Sequence, residues 1–226
     1  MAKNWKHYWH SKSNPEHRRD SPEYYAQYGR ELSLIAGDPS NKHVIEFGCG
    51  SGSLFVPMGF DRARAYRGVD FSDGMLAKFR SAFPDVDLVR ADASSYRDEQ
   101  KYDLIFSNAV AQYFDKTMFR RIISNAVQML APGGEILIGS VPWKNARRGY
   151  YLGELALRPR RKIAWDFMVY VDSLVRGDRL GRWYSLAEVV SITNQFNLST
   201  EFFGSMHYPY RFHARLRGSV RGSPND

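Results

Sequence analysis

Cysteine is almost absent from this sequence: Cys49 is the single one among 226 residues. An internal disulfide and a metal site built on several thiolates are thereby excluded. Long apolar runs are missing too. None approaches the roughly 20 residues that cross a bilayer, so no membrane span is expected. The first ten residues, Met1 to His10, interleave Trp5, Tyr8 and Trp9 with Lys3, Lys6 and His7 and lack the continuous apolar core that directs export. A cytoplasmic location is the expectation. No internal repeat or low-complexity tract is present. Acidic residues are the scarcer charge, 24 against 32 lysines and arginines, for a formal net charge of +8. The surplus gathers in Arg147-Arg148, in Arg158 to Lys162, and in Arg211, Arg215, Arg217 and Arg221. It suits nucleic acid, a small anionic molecule, or a merely solvated surface.

The length fits a single α/β domain with some elaboration, residues 1–226, and two full domains would be cramped. Its most informative stretch is Val44-Ile45-Glu46-Phe47-Gly48-Cys49-Gly50-Ser51-Gly52, an apolar run followed by an acid and three alternating glycines. Glycines let the backbone turn tightly and approach a ligand closely. Ser53 stands where the dinucleotide fingerprint needs its last glycine, so a phosphate cradle is disfavoured. Glu46 at the strand end repels a pyrophosphate and suits a ligand carrying an ammonium or sulfonium group.

Around this loop the pattern alternates. Ser21-Pro22-Glu23 reads as the capped start of a helix to about Ala36, stopped by Gly37-Asp38-Pro39. His43 to Phe47 reads as the first strand, and a short helix is expected after the glycines, its extent limited by Pro57. Further strands are expected at Arg64–Val69, Val86–Arg90, Tyr102–Ser107 and Glu135–Val141. Between the second and third, Ser72 caps a helix through Phe83. Phe119, Ile122, Ile123, Ala126, Val127 and Leu130 recur at helical spacing, and Pro132-Gly133-Gly134 ends that helix. Strands alternating with helices imply a parallel sheet covered on both faces. From Pro142 to about Trp183 the alternation lapses into an aromatic and basic insertion with a helix near Arg160 to Arg176. Ser185-Leu186-Ala187-Glu188 is a capping box opening a helix to about Phe196. Strands at Leu198–Phe203 and Tyr210–Leu216 would form an antiparallel hairpin. The tail, 218–226, is expected to be disordered.

Four motifs in order make the chain, from about Tyr24 to Leu216, resemble the class I, Rossmann-like S-adenosylmethionine-dependent methyltransferases, in particular bacterial ones acting on sugars, lipids and natural products. They are Glu46 to Gly52, Tyr66 to Ser72, Val89 to Ala93, and Tyr102 to Asn108 with Leu130 to Gly134. The resemblance implies a doubly wound seven-stranded sheet, mostly parallel with an antiparallel C-terminal hairpin strand and a helical lid at 142–183. It implies S-adenosylmethionine as cofactor, S-adenosylhomocysteine as product, and no metal. It further implies a cofactor site of Glu46, Gly48, Gly50 and Gly52, with Asp70 accepting from the ribose hydroxyls. Asp92 and the Ala93 amide would meet the adenine edge, Phe71 and Met75 its faces, and the backbone carbonyl of Ser107 or Asn108 the methionine ammonium. Tyr24, in an N-terminal segment (1–40) over the cofactor, would reach its carboxylate.

An alcohol acceptor needs a base, and His207 on the final hairpin is the leading candidate. Gln112 and Tyr113 stand beyond the fourth strand, where many small-molecule O-methyltransferases have a histidine, and would orient the acceptor. His213 reads as structural. The tetrad typical of adenine and glutamine N-methylation is replaced by Ser107-Asn108-Ala109-Val110. Trp143, Tyr150, Tyr151, Trp165, Phe167, Tyr170, Trp183 and Tyr184 would line a small-molecule pocket or a dimer interface. The expectation is methyl transfer to an oxygen, ahead of a nitrogen, of a small metabolite, by a monomer or homodimer. The alternatives are an RNA methyltransferase and a cofactor-binding protein without catalysis.

Overall fold

Ser21 accepts the amide of Tyr24 at 3.2 Å and Pro22 fills the first turn, which starts helix α1 (Pro22–Ala36). The computed structural model describes residues 21–155, 163–176, 178 and 180–218. Expectations for the first twenty residues, for Arg158 to Lys162 and for the tail beyond Gly218 lie outside these, as does that for the side chain of Trp165. After α1 come β1 (His43–Phe47), β2 (Ala65–Asp70), α2 (Asp73–Ala82), β3 (Asp87–Arg90), β4 (Tyr102–Asn108), α3 (Lys116–Met129) and β5 (Leu130–Pro142). The insertion carries α4 (Arg147–Tyr151) and α5 (Ile163–Arg176), followed by α6 (Leu186–Thr193), β6 (Leu198–Gly204) and β7 (Arg211–Gly218).

The strands form one seven-stranded sheet in the order β3-β2-β1-β4-β5-β7-β6. All neighbours pair in parallel except β7, which runs antiparallel to both β5 and β6. Strand alternation sorts the core into two layers. Val44, Leu104, Phe106 and Leu137 face α1 and α2, whose Leu32, Ile35, Leu76 and Phe79 are buried against them. Ile45, Phe47, Ile105, Ile136 and Ile138 face α3 and α6, with Phe119, Ile123, Val189 and Ile192. Each such side chain removed from water contributes about 1.5–3 kcal/mol, and the two layers hold the sheet from both sides.

Two expectations fail locally. The helix anticipated after the glycine loop is a run of turns over 53–59 and a 3₁₀ turn at Phe60–Arg62. Pro57 supplies no amide for a helix, and α1 leaves no room for one. A Cβ on Gly29 of α1 would stand 2.4 Å from the Pro57 Cβ. Strand β5 begins at Leu130 rather than Glu135, with Pro132-Gly133-Gly134 inside its first half, where the register with β4 shifts between Tyr102 and Leu104. Proline is tolerated at such an irregular strand start because no ladder amide is lost there. Among the described residues no helix is long and apolar enough to cross a membrane, and no group of three or more His, Cys, Asp or Glu could hold a metal.

Candidate active site

The strand order reverses between β1 and β4, and in such sheets the crevice beyond the carboxyl ends at that point receives the ligand. The glycine loop closes one side of it. Gly48, Gly50 and Gly52 all have positive φ, +73°, +55° and +80°. A Cβ at Gly48 would strike Val110 and one at Gly52 would strike Phe79, whereas one at Gly50 would meet nothing within 4 Å. Gly50 thus faces open space with its backbone bare, as close approach of a ligand requires.

Asp70, at the end of β2, braces this loop. Its Oδ2 accepts the Gly50 amide at 2.9 Å and its Oδ1 the Ser72 amide at 2.8 Å. Burial raises its pKa, and the amides of Ser72 and Gly50 pull against that rise. The carboxylate is acceptor-only and offers about four lone-pair sites, more than these amides occupy, so it can still accept from a ligand hydroxyl. Phe71 and Met75 are half-buried and belong to neither core layer, which leaves their faces for a ligand. Asp92 accepts the Ser94 amide and hydroxyl at 2.9 and 2.8 Å, shaping the turn that carries Ala93. Ser107 and Asn108 end β4 beside the loop, half-buried. These groups fit an adenosine with a cationic methionine tail: acceptors for a ribose, apolar faces for a purine, bare backbone between.

Glu46 behaves differently from its expected role. It points into the α1 side of the sheet, 3% exposed, and its Oε2 accepts the Tyr66 hydroxyl at 2.6 Å. Burial pushes its carboxyl up to about 7, with Tyr66 pulling down and the Asp70 charge pushing further up. Burial thus favours its neutral form, a poor counter-ion for a ligand. Burial also pushes the Cys49 thiol up, which keeps the loop's sulfur from acting as a nucleophile.

The opposite wall comes from the hairpin between β6 and β7. Glu31, 4% exposed on α1, accepts from His213 Nε2 at 2.9 Å and the Met206 amide at 2.8 Å, and its Oε2 lies in very short contact with His207 Nδ1. Burial raises the Glu31 pKa, but His213, His207, Met206 and Ser205 outweigh it and hold the carboxyl at about 2. His213 Nδ1 accepts the Ser140 amide at 3.1 Å, so its proton sits on Nε2 and is given to Glu31. His207 stands edge-on to Tyr24 and Tyr28, with ring centroids at 5.8 and 5.4 Å. Its Nδ1 is tied to Glu31, which leaves Nε2 as the nitrogen able to exchange a proton.

Tyr24 donates to the Tyr208 hydroxyl at 2.5 Å, and its neighbour Tyr28 donates to Asn108 Oδ1 at 2.8 Å, linking α1 to the end of β4. Gln112 is 8% exposed, and its Oε1 accepts from Arg211 at 2.7 Å. Tyr113 packs, half-buried, against the α3 layer. Ala109 and Ser140 have φ of +54° and +58°, strained for residues with a Cβ, at the adjoining ends of β4 and β5. The Ala109 amide reaches the Gly139 carbonyl at 3.1 Å, and Ser140 serves both His213 and Arg211.

The insertion folds over this wall. Trp143, Tyr150, Tyr151, Tyr170 and Trp183 cluster with Tyr208 and Tyr210 of the hairpin, Tyr150 and Tyr210 centroids being 4.4 Å apart. Asp178 fastens it: Tyr151 donates at 2.5 Å, Trp183 Nε1 at 2.6 Å and Arg147 Nε at 2.9 Å. Two aromatic expectations divide differently. Tyr184 belongs to the α3 layer and donates to the Phe114 carbonyl at 2.8 Å, while Phe167 is 57% exposed on α5. Among the described arginines of the basic surplus, Arg215 pairs with Glu201, Arg217 with Glu135, and Arg147 with Asp178. A cleft of about 570 Å³ lies elsewhere, at the opposite edge of the sheet between Gly37, Asp103 and Glu135.

Sequence reasoning passed over Glu31, although a carboxylate sharing a helix face with Tyr28, Leu32 and Ile35 is a detectable anomaly. Nothing local marks Arg211 as buried or Asp178 as a hub.

Residues 44–134 match the family model described as a methyltransferase domain. The chain is 33% identical to trans-aconitate 2-methyltransferase of Escherichia coli over 127 residues, 52% of this chain and 49% of that protein. It thus spans about half the length of the curated relatives it matches. Among solved structures, DesVI of Streptomyces venezuelae superposes with a TM-score of 0.65 at 14% identity, over 86% of this chain and 92% of the other. Magnesium protoporphyrin IX methyltransferase of Synechocystis PCC 6803, solved with bound SAH, gives 0.63 at 16% identity, over 95% and 93%. The glycopeptide N-methyltransferase MtfA gives 0.63 at 15%, over 86% and 90%. The seven-stranded sheet has the Rossmann-like fold of these solved methyltransferases.

Proposed function

We propose that this chain transfers a methyl group from S-adenosylmethionine to an oxygen of a small metabolite, with Glu31 and His207 as orienting carboxylate and base. The observation that carries the reading is the Asp70 brace under the open Gly50 backbone, at the sheet's switch point. Gly48, Gly50 and Gly52 would hold the methionine portion, Asp70 the ribose, and Phe71, Met75, Asp92 and Ala93 the adenine. The carbonyl of Ser107 or Asn108 would receive the ammonium.

When bound, S-adenosylmethionine supplies a methyl carbon on a sulfonium, which bonds to the acceptor oxygen as the C–S pair returns to sulfur, giving S-adenosylhomocysteine. The chain's own task is positioning, which contributes up to about 7–11 kcal/mol. His207 Nε2 takes the proton of the acceptor hydroxyl, and Glu31 on Nδ1 stabilises the imidazolium that forms. The aromatic cluster of Trp143, Tyr150, Tyr151, Tyr170 and Trp183 covers the acceptor and excludes water. The 1–40 segment contributes α1, which brings Glu31 and Tyr24 to the site. Oxygen transfer is favoured over nitrogen because an amine acceptor has no need of so well-fixed a carboxylate–histidine pair. A panel of sugar, lipid and natural-product alcohols and amines, assayed for S-adenosylhomocysteine release, tests it. Release with alcohols that His207→Ala slows at least about 100-fold supports the reading; turnover indifferent to that change removes the base.

A further inference from the structure

Arg211 is buried to 8% exposure at the start of β7, beneath the aromatic insertion, yet no carboxylate among the described residues pairs with it. Its NH1 donates to Gln112 Oε1 at 2.7 Å, to the Ser140 carbonyl at 2.6 Å and to the Ser140 hydroxyl at 3.4 Å. Its guanidinium carbon lies 5.7 Å from the Tyr208 ring centroid and 5.5 Å from that of Tyr210. Nε and NH2 make no hydrogen bond among the described residues, and neither is sealed away from solvent.

A buried cation held by neutral acceptors and ring faces is an incomplete arrangement, because an unpaired buried charge is costly to keep. The unused Nε/NH2 edge presents two parallel donors, the geometry that receives a carboxylate side-on. Gln112 and Ser140 fix the other edge, so the fork is already oriented. They also place it beside the ends of β4 and β5, where the acceptor would have to lie. A lone guanidinium matches a singly charged group better than a phosphate dianion.

We propose that the methyl acceptor carries a carboxylate, which docks on the Nε/NH2 edge of Arg211 and makes this arginine the determinant of acceptor specificity. The proposal rests on the methyl-transfer reading of the same site. It explains why the buried Arg211 lacks an acidic partner among the described residues, whereas Arg215 and Arg217 have theirs.

Ligand-observed NMR titration of sodium benzoate, benzamide and phenyl phosphate, with the protein saturated in S-adenosylhomocysteine, tests it. Benzoate is expected to bind at least ten-fold more tightly than benzamide. Arg211→Gln should remove that preference and Arg211→Lys should restore part of it. Gln112→Glu, which supplies a carboxylate to the guanidinium from within, should abolish benzoate binding while Arg211 remains. S-adenosylhomocysteine affinity, measured by calorimetry on the same proteins, reports the underlying reading separately and should stay within about three-fold of wild type. Benzoate that fails to bind, that binds no better than benzamide, or that binds Arg211→Gln and Gln112→Glu as it does the wild type overturns the proposal. Phenyl phosphate binding more tightly than benzoate overturns the choice of carboxylate. Loss of S-adenosylhomocysteine binding by the wild type defeats the methyl-transfer reading instead.

Discussion

Glu31 on the first described helix and His207 on the last hairpin are joined through Nδ1, although 176 positions separate them in the chain. The contact crosses from α1, over the C-terminal edges of the strands, to the turn between β6 and β7. It turns a surface histidine into a fixed one.

Replacing Glu31 by glutamine should lower turnover on an alcohol acceptor by ~10²-fold, because His207 loses both its orientation and the charge that stabilises its imidazolium. The stability effect has a definite sign. Glu31 titrates at about 2 in the folded protein and near 4.5 when unfolded, so between those values the unfolded chain binds the additional proton. Its contribution is full above pH 4.5 and is lost as the pH falls through 2. Urea melts should show Glu31→Gln weaker than wild type at pH 7 and the gap closing toward pH 2.

Glu46 should do the reverse. Its carboxyl sits at about 7 when folded against 4.5 unfolded, so the folded protein holds the additional proton between those values and stability falls as pH rises from 4.5 to 7. Glu46→Gln keeps an acceptor for Tyr66 and should gain on the order of 1–3 kcal/mol over wild type at pH 8, with no gain at pH 4.5. Equal denaturation midpoints for the two proteins at both pH values would remove the assignment.

Asp178→Ala should release Arg147, Tyr151 and Trp183 together. A substantial loss of kcat/KM with S-adenosylhomocysteine affinity unchanged is expected, together with faster proteolysis within residues 142–183. Loss of cofactor affinity instead would show that the insertion supports the donor site and not the acceptor.

Gly50→Ala should fold and fail to bind. Its Cβ meets no protein atom, but φ of +55° strains an L-residue by about 1–2 kcal/mol and the methyl enters the space over the loop. Thermal melting and calorimetry read the two effects separately.

The geometry of the candidate donor side was legible because its information is local. Strand, acid, glycine and cap follow one another within a few residues at Phe47–Gly52 and Val69–Ser72, and only backbone geometry is needed to bring the two segments together. The candidate acceptor side was legible only in part. His207 could be placed on the hairpin, but Glu31 is reached through helix packing, and Arg211 is buried by the pairing of β7 with β5. That pairing shifts register between Ile138 and Val141, around the strained Ser140, and neither the shift nor the strain leaves a periodic trace. Glu46 shows the limit from the other direction: its position is right for a ligand contact, but strand alternation turns its side chain toward Tyr66.

On this proposal the loop braced by Asp70 holds S-adenosylmethionine. Isothermal titration of S-adenosylhomocysteine into the wild type and into Asp70→Ala, with circular dichroism on both, tests it most directly. Saturable one-to-one binding by the wild type is expected, weakened at least 100-fold in Asp70→Ala at unchanged secondary structure. Near-normal affinity in a folded Asp70→Ala protein, or no binding by the wild type, would contradict it.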